Sequence, residues 1–179
     1  TMRNRNLWFI HIRYGAVFML ASIFLMSNYF FNFNFTPIQR TALISITAII
    51  LLYNIVLHWL RRYLSCTPGK FNPLHFSLLQ IVLDLITLML LVYYTGSIET
   101  PLYMLFIFHM IIGSLILPGY VILLIAITVG IIFTTIVGLE FYDIIPHNHL
   151  HGVHNVELKN NVNFIISTIT LFNFTILTA

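Results

Sequence analysis

Four histidines fall within eight residues in the stretch PHNHLHGVH: His147, His149, His151 and His154. Imidazole nitrogens ligate zinc, copper, nickel and iron, and they titrate near neutral pH. The group therefore suits either a divalent metal ion or a proton signal. His149 and His151, two apart, point together from an extended segment; His151 and His154, three apart, do so from a helical turn. The carboxylates of Glu140, Asp143 and Glu157 are nearby. No recognised zinc signature has these spacings, and a solvated polar loop is the plain alternative.

A second constellation lies within apolar sequence. Asp84 is the one acid inside a long hydrophobic run. A charge at that depth costs at least about 2.5 kcal/mol on insertion scales, which makes it a functional candidate by default. Gln80 is one helical turn earlier on the same face. Asp84 follows Phe76 by eight residues, about 12 Å along a helix. His109 follows Pro101 by the same interval on the next segment, which runs back, so the two reach similar depth. Gln80, Asp84 and His109 together suit a polar head group such as a quinone carbonyl, or a proton. The other reading is a structural hydrogen bond between helices, or a protonated Asp84 bonded to a backbone carbonyl. Between these runs sits TGSIETP. Gly96 permits positive φ, Pro101 suits the first turn of a helix, and Glu99 and Thr100 can cap its N-terminus.

The elements that must hold these residues are membrane helices. Of 179 residues, 59% are hydrophobic and 7% charged, where a soluble domain carries about a quarter charged. Such a chain cannot cover itself with polar groups. Six segments approach the roughly 20 residues that cross a ~30 Å hydrocarbon layer: about 7–30, 38–60, 76–94, 101–118, 120–139 and 162–179. The expected fold is an all-α integral membrane protein, one six-helix transmembrane bundle over 1–179. Lys/Arg bias sets orientation: with the N-terminus inside, Arg3, Arg5, Arg13, Arg61, Arg62 and Lys70 are cytoplasmic, and only Arg40 and Lys159 are outside. Both termini are then cytoplasmic, and the turn at Gly96 and the His-rich loop are extracytoplasmic. The last span has no basic stop after it, so the natural chain is expected to continue into the cytoplasm.

Several classes are excluded or disfavoured. The net charge of +3 is not gathered into a nucleic-acid stripe. The single Cys66 excludes an internal disulfide and a multi-Cys metal site. The first span is too long for a secretory signal and has no cleavage site, so it reads as an anchor. No inverted pair of broken helices points to a transporter. His109 has no second His at its level, which argues against a b-type haem. No nucleophile–base pair, phosphate loop or kinase motif is present, so this segment shows no enzyme chemistry of its own.

NLWFIHIRYGAVFML resembles the first span of multi-pass bacterial sensor histidine kinases, with a basic start, an Ile-Arg-aromatic step and an apolar helix. LLQIVLDLITLMLLVYYTGSIETPLYMLFIFHMIIGSLILP resembles their third and fourth spans, with Gln and Asp on one helix, a Thr-Gly-Gly-like turn ending in Pro, then an aromatic-rich helix with His and a Leu-Pro end. The similarity covers most of the chain in topology and residues 7–20 and 79–118 in motif. It is nearest to the redox-responding kinases, whose six-helix sensor domain binds ubiquinone near a Gly-Gly-x-x-Asn-Pro-Phe turn. The resemblance implies a ligand site at Gly96, Glu99 and Pro101. It also implies a homodimer in a bacterial inner membrane, a cytoplasmic kinase region after Ala179, and a cognate response regulator as that region's partner. Ser97 stands where the family has its second Gly, Thr100 where it has Asn and Leu102 where it has Phe. The function so implied is signal input, with a membrane quinone, a divalent metal ion or protons as the stimulus. The alternative is a structural or accessory subunit of a larger membrane complex.

Overall fold

The structure, a computed structural model, describes residues 14, 15, 17–22, 26, 35–60, 73–149 and 160–179. Those at 14, 15, 17–22 and 26 are helical. Beyond them come α1 (Pro37–Leu60), α2 (Pro73–Tyr94), short 3₁₀ turns at Ser97–Glu99 and Pro101–Met104, then α3 (Leu105–Ser114), α4 (Gly119–Phe141) and α5 (Val162–Thr178). No strand occurs among the described residues. The expected all-α class holds.

Among the described residues, three helices are long and apolar enough to cross a membrane: Pro37–Leu60, Leu74–Tyr94 and Gly119–Phe141. Their packing differs in a telling way. Half of the most apolar window of α2 is buried within the protein, against 22% for α1 and 28% for α4. Ile44, Leu52 and Val56 on α1, and Leu124 and Ile131 on α4, face outward. Apolar faces of this extent are not left to water. Lipid is the medium that fits them, and the chain is a membrane protein built around α2.

The core beneath those faces is aromatic. Phe106, Phe133 and Phe172, from α3, α4 and α5, are almost fully buried. The Phe133 and Phe172 rings lie 4.2 Å apart, and Phe106 meets Phe172 edge-on at 5.6 Å, a geometry that aligns ring edges with ring faces. Gly130 lets α5 come against α4 there: a Cβ at this position would collide with the Asn173 carboxamide. That carboxamide donates to Thr134 Oγ1 at 3.2 Å. A small residue beside an interhelical hydrogen bond is how helices associate where solvent gives no hydrophobic drive.

The boundaries depart from expectation in two places. The segment expected to span 101–118 begins as a 3₁₀ turn and ends its α-helix at Ser114. Pro101 starts that turn, and Thr100 Oγ1 accepts from the Leu102 amide at 3.4 Å. At the other end Leu117 precedes Pro118, a position that disfavours helical backbone. Pro118 is extended and caps α4, which begins at Gly119, one residue before the expected span. Glu140, placed by sequence in the polar loop, belongs to the last turn of α4.

Candidate functional site

The start of α1 and the ends of α2 and α4 meet at one end of the bundle, and the chain at 146–149 crosses over them. This crossing is fastened by its backbone. Tyr93, in the last turn of α2, donates its hydroxyl to the Pro146 carbonyl at 2.9 Å. Gln39, in the first turn of α1 and 1% exposed, donates to the carbonyls of Asn148 and His149 at 3.2 and 3.3 Å. The Gln39 carboxamide oxygen in turn accepts from the Thr36 amide at 2.9 Å, so its donor end is aimed. The turn below comes close: a Cβ on Gly96 would stand 3.3 Å from the Asn148 carbonyl. Gly96 has φ 101°, a left-handed value that glycine adopts freely.

Between turn and crossing lie two carboxylates and two imidazoles. The Glu99 and Glu140 side chains are each 2% exposed. Unpaired, a buried carboxylate costs several kcal/mol. His149 Nδ1 donates to Glu99 Oε2 at 2.7 Å, a length that fits a charge-assisted bond. His147 stands between the acids, its Nε2 3.4 Å from Glu99 Oε1 and its Nδ1 3.4 Å from Glu140 Oε1. Ser97 Oγ donates to that same Glu140 oxygen at 3.0 Å. Burial alone would lower the His147 pKa. The contact with Glu140 and the negative charges of Glu140 and Glu99 outweigh it, and the pKa is raised. Arg40, the one Lys or Arg among the described residues, is exposed.

Ser97 is itself bent into the left-handed region, with φ 47°. A side chain there costs roughly 1–2 kcal/mol. The strain places its hydroxyl on Glu140.

Among the residues singled out by sequence, the structure brings His147 and His149 together with Glu99. Gly96 and Pro101 shape the turn beneath them. His151 and His154 lie outside the described residues. Gln80, Asp84 and His109 line a different feature, a largely apolar cavity of about 290 Å³ between helices. Asp84 Oδ1 accepts from the Tyr53 hydroxyl at 2.7 Å, and His109 Nδ1 donates to its own helix at the Leu105 carbonyl, 2.9 Å away. Sequence reasoning did not single out Tyr53, Gln39, Ser97 or a buried Glu140. Gln39 had one usable signal, an uncharged polar residue in the first turn of an apolar helix.

Fold and site together define an all-helical membrane protein with a buried carboxylate–imidazole cluster at one end. No protein-family model, curated protein or solved structure matches the chain.

Two outcomes follow from this geometry. Ser97→Ala, which keeps the strain and loses the bond to Glu140, lowers unfolding stability by about 1–3 kcal/mol; Ser97→Gly, which also relieves the strain, costs less. Equal losses in detergent-micelle unfolding would contradict the assignment. Because the folded pKa of His147 is raised, its stabilisation is fully present below about pH 6.5, the unfolded value, and is lost as pH climbs through the folded value. Stability measured in chelator-containing buffer therefore falls with rising pH in that window, and His147→Gln flattens the fall; an unchanged slope would count against it.

Proposed function

We propose that the chain is the membrane-embedded signal-input domain of a sensor histidine kinase, working as a homodimer in a bacterial inner membrane. In this reading six helices cross the bilayer, both termini are cytoplasmic, and the cluster of Glu99, Glu140, His147 and His149 faces the extracytoplasmic side. The single observation that carries the reading is the placement of that cluster. It joins the ends of α2 and α4 to the crossing at 146–149, which lies on the chain between α4 and α5. A change of charge or ligand there acts on the last helix, whose Phe172 is locked against Phe106 and Phe133. The last helix would carry the shift to a cytoplasmic kinase region and its response regulator. The cavity at Tyr53, Asp84 and His109 is a second input point, sized for the head group of a lipid-soluble carrier such as a quinone.

A ligand moves such a switch only by its differential affinity for the two states. Coupling energies of 1–3 kcal/mol correspond to about 5–150-fold. The gene product in proteoliposomes is expected to incorporate phosphate from ATP onto histidine, and Glu140→Gln is expected to change the steady-state level at least about fivefold. A gene product that forms no phosphohistidine, or a variant with the unaltered level, would overturn the reading.

A further inference from the structure

We propose that Glu99, His147 and His149 form a binding site for a divalent transition-metal ion of the zinc class, with Glu140 holding His147 in its ligating orientation. Each of the three ligand residues offers an atom, and these atoms lie within 4.8 Å of one another. Zinc binds His nitrogen and carboxylate oxygen at about 2.0–2.2 Å, so neighbouring ligands in a tetrahedral shell stand about 3.3–3.5 Å apart. His147 Nε2 and Glu99 Oε1 are separated by 3.4 Å.

His147 supplies the independent sign of a missing ligand. Its side chain is 3% exposed, and each ring nitrogen stands 3.4 Å from a carboxylate oxygen without closing a hydrogen bond to it. A buried imidazole in that condition is costly. A metal at Nε2 would satisfy one nitrogen, and the other would donate to Glu140, whose oxygen is 3.4 Å away and already fixed by Ser97. Histidine ligands commonly give their second N–H to a carboxylate in this way, which fixes the tautomer and raises ligand basicity.

Charge and donor type agree. Two ionised carboxylates with two neutral imidazoles carry −2, which one divalent ion cancels. With His149 a neutral imidazole, the ion takes the Nδ1 position that now faces Glu99, and the ring keeps its single proton on Nε2. Two nitrogen donors favour zinc, copper, nickel or cobalt over magnesium and calcium, which take oxygen ligands. The site is held ready by the backbone: Tyr93 and Gln39 fix three carbonyls of the segment that carries both histidines. The assignment deepens the signal-input reading by naming its stimulus, and it is measured without any kinase readout.

The purified chain in detergent micelles, stripped with chelator and titrated with ZnCl2, is expected to bind one equivalent. Mg2+ and Ca2+ are expected to compete at least about tenfold less well. Glu99→Gln and His147→Ala abolish this binding; Glu140→Gln weakens it about 10–100-fold at the same stoichiometry; His75→Ala, at an exposed position outside the cluster, leaves it unchanged. X-ray absorption on the zinc-loaded wild type, which needs no variant to fold, is expected to show two imidazoles and carboxylate oxygen at about 2.0–2.2 Å. Absence of binding, zinc retained by both Glu99→Gln and His147→Ala, or a shell without imidazole would each overturn the site. Zinc binding without phosphohistidine would leave the site standing and remove only the kinase reading.

Discussion

Two carboxylates buried at the end of a helix bundle impose a constraint that much of the local structure serves. Glu99 and Glu140 are withdrawn from solvent, and the only described Lys or Arg is exposed. Imidazoles supply the compensation, so the chain at 146–149 must lie across the helix ends. Its route explains features that otherwise look unrelated. Gly96 is left-handed because the crossing passes over it, Ser97 is strained because its hydroxyl is needed at Glu140, and Gln39 sits in the first turn of α1 to hold two carbonyls. Each of these is a local cost offset by pairing a buried charge.

The same end of the bundle is where helices that do not adjoin in sequence are tied together. α2 contributes Tyr93 and the turn after it, α4 contributes Glu140, and α1 contributes Gln39. Farther along, the helices are joined by packing: the Phe106, Phe133 and Phe172 rings, and the close approach at Gly130. Packed aromatic cores shift between discrete arrangements more readily than they deform continuously. A polar cluster thus closes one end of the bundle, and an aromatic seam holds α5 against α3 and α4. α2 carries a second polar stripe, Ser77, Gln80, Asp84 and Thr87, at helical spacing. Tyr53 of α1 meets it at Asp84, so these two long helices share a polar contact as well as their packing.

Much of this was legible from residues alone, for physical reasons. Apolar runs near 20 residues long specify apolar helices, and the observed Pro37–Leu60, Gly119–Phe141 and Val162–Thr178 fall within two residues of expectation, the first two being long enough to cross a membrane. His147 and His149 stood out as metal-ligand types, Glu99 as a carboxylate in a turn, and Gly96 as a site for positive φ. Their meeting did not, because Glu99 and His149 are 50 residues apart and no local pattern encodes a contact at that separation. Glu140 was misplaced because a charge after an apolar run reads as the start of a loop, whereas here it is buried by partners. Tyr53 was invisible because a tyrosine among leucines and isoleucines looks the same whether it faces lipid or an aspartate.

The most direct test is a double-mutant cycle on Glu99 and His149, read from unfolding free energies of Glu99→Ala, His149→Ala and the double variant in detergent micelles. If their contact fastens the crossing to the turn, the cycle returns a favourable coupling of about 1.5–3 kcal/mol, the range for hydrogen bonds to charged groups. Additive losses, agreeing within about 0.5 kcal/mol, would mean that the two side chains do not hold this end of the bundle together.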